Sequence, residues 1–399
     1  MSYDSASKIQ DFLVFGEFGD VNPSICDSST YTFFKSETME DMFHHEHEGC
    51  FLYSRHFNPT NKYLCRALAA MESTEAAQAT SSGMGAITSA ILQICSSGDE
   101  VVSGWTIYGG SYAFLRNFLP RFGVNVRFTS ITDLTMVEAQ FTEKTKVLYC
   151  ESISNPLLEV ADIPALAELC KRRGVTLIVD NTFSPMIISP ARLGADIVAH
   201  SLTKFINGTS DCVAGCICAK KEFIDSVVDP NNGACMLLGP VLDSIRAAGV
   251  LKNLHSLHIR MKQHSANALY LAENLAKLGL KIHYPGLKAH PQHQLMTRLM
   301  NPGIGYGGMM TIDVGEYEKA ARLMSAMQDS LVGYLAVSLG YFKTLFSAPA
   351  HSTSSEIPEE DRQKMGLSTG MIRFSVGLDN DIDRSFQRIK QCLEKERII

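Results

Sequence analysis

Short apolar runs, each about one strand long, recur between residues 100 and 219 with helical stretches between them, and this alternation constrains the fold more than any other feature. The runs are 100–104, VNVRFTS (124–130), KVLYCES (146–152), VTLIVDN (175–181), DIVAHSL (196–202) and VAGCICA (213–219). Most are apolar throughout, as strands covered on both faces must be. Apolar residues at helical spacing mark NKYLCRALAAMEST (61–74), the stretch after SSGMG, and segments near 108–118, 134–141 and 163–173. Strands alternating with helices predict an α/β fold with a largely parallel sheet flanked by helices. The second half differs. Residues 239–278 read as one continuous helix, MMTIDVG (309–315) as a strand and 380–396 as a closing helix. Residues 1–60 carry no long periodic element. The expected organisation is an extended N-terminal arm over 1–60, a large domain over 61–260 and a smaller α+β domain over 261–399.

A chain of 399 residues buries a large core without needing a disulfide or a metal. Its 36 basic residues against 42 acidic ones give a net charge of −6, so no basic field invites nucleic acid or an anionic membrane. No apolar run reaches the length of a membrane span, and the acidic, polar N-terminus does not resemble a secretory signal. The 11 cysteines form no CxxC pair, and alternation puts Cys216 and Cys218 on one strand face as small buried hydrophobes. A cytoplasmic, reduced chain is expected. His44, His45 and His47 lack the i, i+4 spacing that places two imidazoles on one helix face, so no metal site is expected there. Gly303, Gly305 and Gly308 spell GxGxxG but precede a strand, which is the wrong context for a dinucleotide loop. Asn207-Gly208-Thr209 is a glycosylation sequon in spelling only.

Three segments carry chemistry. VTLIVDN ends in Asp180, and ligands of doubly wound sheets bind beyond the carboxyl ends of the strands. A carboxylate there can pair with a protonated ring nitrogen. AHSLTKF places Lys204 just past another strand end, and Ser201 and Thr203 before it offer hydroxyls on alternate sides of the turn, suited to a phosphate. A desolvated lysine amine attacks aldehydes. Ser81, Ser82 and Gly83 open a helix whose free N–H groups favour an anion. A phosphate cradle, an aldehyde-trapping amine and a ring-nitrogen carboxylate are what pyridoxal 5'-phosphate needs from a protein.

YSRHFNPT (53–60), SSGM (81–84), YGG (108–110), ESISNP (151–156), VDNTF (179–183), HSLTKFINGTSD (200–211) and VSLG (337–340) resemble, in order and spacing, the γ-family of fold-type I pyridoxal enzymes. This is the Cys/Met-metabolism family of methionine γ-lyase, cystathionine γ-lyase, cystathionine γ-synthase and O-acetylhomoserine sulfhydrylase. The likeness runs from about residue 16 to residue 390 and is strongest to plant-type methionine γ-lyases. It implies that Lys204 holds the cofactor as a Schiff base and shuttles protons, while Asp180 keeps the pyridine nitrogen protonated. It puts Ser82, Gly83, Met84, Ser201 and Thr203 at the phosphate and Asn155 at the ring. Tyr108 would stack on the ring and protonate the leaving thiolate, and Arg373, with Ser338 beside it, would clamp the substrate carboxylate. Tyr53 and Arg55 match a pair that reaches the cofactor of a neighbouring subunit, which implies a homodimer with shared sites, usually paired into a tetramer.

The implied reaction is α,γ-elimination of L-methionine to methanethiol, 2-oxobutanoate and ammonia. Cystathionine γ-lyase and O-acetylhomoserine sulfhydrylase activities are the alternatives within the family. Gly110 stands where many bacterial methionine γ-lyases have cysteine, and Thr353-Ser354-Ser355 replaces a Thr-His pair of many relatives, so the preferred sulfur amino acid stays open. A fold-type I aminotransferase would also need Lys204 and Asp180 but not Tyr108, Tyr53 or Arg55. A catalytically silent scaffold would bind no chromophore.

Overall fold

The computed structural model describes residues 4–12, 16, 19–33, 35–44, 50–352 and 357–399. His45, His47 and the Thr353–Ser355 stretch lie outside the described residues.

Seven strands form one sheet: β1 (Ala76–Thr80), β2 (Glu100–Gly104), β3 (Asn125–Thr129), β4 (Thr145–Glu151), β5 (Thr176–Asp180), β6 (Ile197–Ser201) and β7 (Gly215–Ala219). Their order across the sheet is β1-β7-β6-β5-β4-β2-β3. The pairs from β6 through β5, β4 and β2 to β3 are parallel. Only β7 is reversed, antiparallel to both β6 and β1. A parallel neighbour needs a crossover, usually a helix, and the 202–214 return contains none, so the chain comes back antiparallel.

Alternation along the strands splits the core. One face presents Val102, Leu148, Cys150, Leu177, Val179, Val198, Cys216 and Cys218 to the helices Pro59–Glu72 and Ile163–Arg173. The other presents Val101, Val147, Ile178, Ala199 and Ile217 to helix Gly83–Ile94. Cys216 and Cys218 do share a face, with sulfurs 3.8 Å apart. Helix Pro59–Glu72 forms because Asn58 caps it, accepting from the Thr60 amide at 2.9 Å, with Pro59 in its first turn. Its Leu64, Leu68 and Met71 are buried at helical spacing, each contributing roughly 1.5–3 kcal/mol.

A second sheet comprises β8 (Lys281–His283), β9 (Met309–Asp313), β10 (Gly333–Leu335), β11 (Thr344–Ser347) and β12 (Met371–Ser375), in the order β10-β11-β12-β9-β8. It packs beneath the helices Leu257–Lys277, Tyr317–Asp329 and Ile382–Lys395 around Ile312, Phe346, Phe374 and Ile389. The continuous helix expected over 239–278 is instead two helices, Ser244–Leu254 and Leu257–Lys277. Gly239, at φ +70°, ends the short helix before them, and the Asp243 side chain caps a new start at the Arg246 amide, 2.9 Å away. The arm holds two short helices, Ser5–Gln10 and Glu37–His44. Among the described residues no helix is long and apolar enough to cross a membrane, and no cluster of metal-ligating side chains occurs.

His264 lies fully buried on helix Leu257–Lys277, edge-on to Phe205, with Nδ1–H donating to the Val376 carbonyl at 2.6 Å. Burial holds its pKa down at about 4. The unfolded chain takes up a proton below about 6.5 that the folded chain refuses until about 4, so stability falls as pH drops through this window. Urea unfolding at pH 7 and pH 5 should show that fall, and His264→Asn should reduce it.

Candidate active site

The carboxyl ends of β1, β6, β5 and β4 and the start of β7 meet at one edge of the large sheet, where a cavity of about 250 Å³ opens. Its walls include Ser82, Gly83, Met84, Tyr108, Asn155, Asp180, Ser201, Thr203, Lys204 and Arg373, all expected from the sequence. Ser338 reaches it through its hydroxyl, 3.0 Å from Lys204 Nζ. Tyr53 and Arg55 are elsewhere. Arg55 donates to the Met236 carbonyl at 2.8 Å and borders a separate cavity beside helix Pro59–Glu72.

At the floor, Gly83 begins its helix directly after β1, and Ser82 Oγ caps the Gly85 amide at 2.9 Å. The backbone is packed so closely here that glycine is required twice. A Cβ on Gly83 would lie 2.7 Å from Ser201 Cβ, and one on Gly215 would lie 2.3 Å from the Ser82 carbonyl oxygen. The first amides of the helix have no intrahelical acceptor and, with the Ser201 hydroxyl nearby, form an anion cradle. Thr203 lines the same wall, but its hydroxyl donates to the Ala214 carbonyl at 3.2 Å and accepts the Ala214 amide at 2.9 Å.

Lys204 sits on the return from β6 to β7. Burial, helped by the Arg373 charge, lowers its pKa to about 8, so far more of it is free amine near neutrality than of an ordinary lysine. Asp180 ends β5. Its Oδ1 accepts both the hydroxyl and the amide of Thr182, at 2.5 and 2.9 Å, while Oδ2 has the Tyr149 hydroxyl at 3.4 Å. Burial pushes its carboxyl up against the pull of Thr182, as expected for a carboxylate awaiting a cationic partner. Behind it, His200 Nε2 and the Asn181 side chain converge on Glu72 Oε1 at 2.7 and 3.1 Å, tying helix Pro59–Glu72 to β5 and β6.

Arg373, on β12, is 2% exposed and so desolvated that its pKa drops to about 10. Nη1 donates to Asn155 Oδ1 at 2.8 Å and Nη2 to the Val337 carbonyl at 3.2 Å, which aims the guanidinium into the cavity as a fork for a carboxylate. Tyr108 stands at the mouth, 42% exposed. Met84, Ile87, Ile153, Val213, Val337 and Leu339 complete an apolar wall.

Thr182 and Glu151 were not singled out by sequence reasoning. Thr182 had a signal, a hydroxyl two residues after a strand-end Asp, where a local turn bond is expected. Glu151 ends β4 in register with Asp180, the same strand-end rule that selected Asp180.

A residue set of this kind fits pyridoxal 5'-phosphate. The cradle matches its phosphate, Lys204 its aldehyde, Asp180 its ring nitrogen and Tyr108 its ring face. The family model for Cys/Met metabolism PLP-dependent enzymes matches residues 13–394. This chain belongs to that family. It is 44% identical to the methionine γ-lyase of Arabidopsis thaliana over 384 residues, 95% of this chain and 87% of that one. With the L-methionine γ-lyase of Pseudomonas putida it shares 38% identity over 380 residues, covering 94% and 93% of the two chains. A Campylobacter jejuni crystal structure, assigned as an O-acetylhomoserine (thiol)-lyase and containing N'-pyridoxyl-lysine-5'-monophosphate, superposes with a TM-score of 0.90 at 27% identity over 98% of this chain and 100% of that one. The chain is thus a pyridoxal-phosphate enzyme with the fold of that lyase.

Only the neutral amine captures an aldehyde, so uptake of pyridoxal phosphate by apoprotein, followed by absorbance, should accelerate as pH rises, with a midpoint near the Lys204 value of about 8. A Cβ on Gly110 would sit 2.5 Å from Tyr108 Cε1. Gly110→Cys should therefore move the phenol and lower kcat while bound cofactor, measured spectrally, stays stoichiometric.

Proposed function

We propose that this chain catalyses α,γ-elimination of L-methionine, with water, to methanethiol, 2-oxobutanoate and ammonia. The observation that carries this reading is one cavity holding a desolvated amine, a carboxylate fork and an apolar wall, in a chain similar to methionine γ-lyases along its length. When bound, the cofactor draws electron density out of the substrate and acidifies its Cα and Cβ hydrogens. Arg373 binds the substrate carboxylate and, held by Asn155 and Val337, fixes which hydrogen faces Lys204. Lys204 Nζ, oriented by Ser338, takes a proton from carbon and returns it; a pKa of about 8 suits both directions. The Tyr108 phenol gives a proton to the departing sulfur. Met84, Ile153, Val213 and Val337 offer the thioether an apolar wall.

Ser82, Gly83, Met84 and Ser201 are assigned to the phosphate, Thr203 to the wall beside it, and Asn155 and Asp180 to the ring. Tyr53 and Arg55 lie outside this chain's own cavity, which supports their assignment to the cofactor phosphate of a second copy and hence a homodimeric unit within a tetramer. The 11 cysteines are all unpaired, which supports a reducing, cytoplasmic setting. We also assign 61–260 to a cofactor domain and 261–399 to a smaller one.

Methionine, cystathionine and O-acetylhomoserine with sulfide should be assayed side by side for thiol and 2-oxobutanoate. Methionine should yield both in equal amounts; sulfide uptake with O-acetylhomoserine and none of either product from methionine would replace the reading. Arg373→Ala should retain the cofactor's visible band and lower kcat/KM for methionine by about 100-fold, the loss of a charged bidentate contact. Wild-type kcat/KM in that variant would remove Arg373 from the site.

A further inference from the structure

Glu151 faces the cavity and has no role in the proposed reaction. It is buried, 6% exposed, and each of its oxygens is committed to a different loop. Oε1 accepts the Tyr108 amide at 2.7 Å, and Oε2 accepts the Asn155 amide at 2.8 Å. Asn155 in turn holds Arg373 Nη1 at 2.8 Å. One carboxyl group thus connects the backbone of the residue over the ring to the residue that aims the carboxylate fork.

We propose that Glu151 is a positioning residue that sets the placement of Tyr108 relative to Arg373, so that the leaving group and the carboxylate of one substrate are addressed together. Tyr108 opens the short helix Gly109–Ala113 with no side-chain cap, and its own amide is anchored by Glu151 Oε1. Asn155 is likewise held through its amide, with its side chain free to meet Arg373. Burial and the neighbouring Asp180 push the Glu151 carboxyl upward, while the two amides and Arg373 draw it down. In either protonation state each oxygen keeps a lone pair for its amide. A glutamine nitrogen has none, and would set donor against donor on one arm.

This inference rests on the reading that Tyr108 and Arg373 both engage the substrate. Its test uses holoenzyme carrying Glu151→Gln, Asn155→Ala or both. Glycine, which has the amine and carboxylate but no leaving group, is titrated against the cofactor's visible band, and methionine kinetics and melting temperatures are recorded in parallel. Glu151→Gln should keep stoichiometric cofactor with only a small fall in melting temperature, weaken glycine about 10-fold and lower kcat for methionine further, since loss of a buried hydrogen bond is on that scale. The double variant should bind glycine no more weakly than Asn155→Ala alone, because both act on the same fork. Wild-type glycine affinity in Glu151→Gln, multiplied effects in the double variant, or loss of cofactor and melting temperature together would each overturn the proposal. Failure of wild-type protein to release thiol from methionine would instead overturn the proposed reaction, since the glycine titration does not depend on it.

Discussion

The close approach of three backbones, at Ser82–Gly83, Ser201 and Gly215, is the constraint on which the rest of the site depends. It brings the ends of β1 and β6 and the start of β7 to one point and leaves no room for a side chain at either glycine. Helix Gly83–Ile94 consequently starts against the sheet edge, with its free amides facing the same space as Asp180 and Lys204. The fold therefore builds the anion cradle from main chain, where it costs no side-chain ordering on binding.

Charge is the second organising element. Asp180, Glu151, Lys204 and Arg373 line one cavity, and each is pushed toward its neutral form by burial. Such a set is unfavourable by itself. A ligand with a cationic ring nitrogen, an aldehyde and, through the substrate, a carboxylate would complement Asp180, Lys204 and Arg373. The strain of burying these groups is thereby converted into selectivity for a ligand that carries all three.

Much of this was legible in the sequence. Most of the strands from 100 to 219 were visible because continuous burial demands continuous apolar runs, the edge strand β3 because its polar and apolar residues alternate, and Asp180 and Lys204 because polar residues follow those runs just where ligands bind. β1, AAQAT, escaped notice because alanine and glutamine carry little strand preference, and β8 and β10 are three residues long, too short to show a period. The reversal of β7 has no periodic signature at all. The break at 255–256 was hidden because both flanking helices share the same apolar spacing. Glu151 was passed over because its function is carried by two backbone amides, which no residue pattern records.

The reversed strand β7 has an implication for how the chain tolerates change. It is hydrogen-bonded on both sides, with Ser201 and Thr80 each opposite Gly215. Slipping either ladder by one residue would turn Cys216 and Cys218 toward the opposite layer and pull Gly215 from under Ser82. The two ends of the loop bearing Lys204 are thus fixed by ladder register, not by the composition of the loop between them.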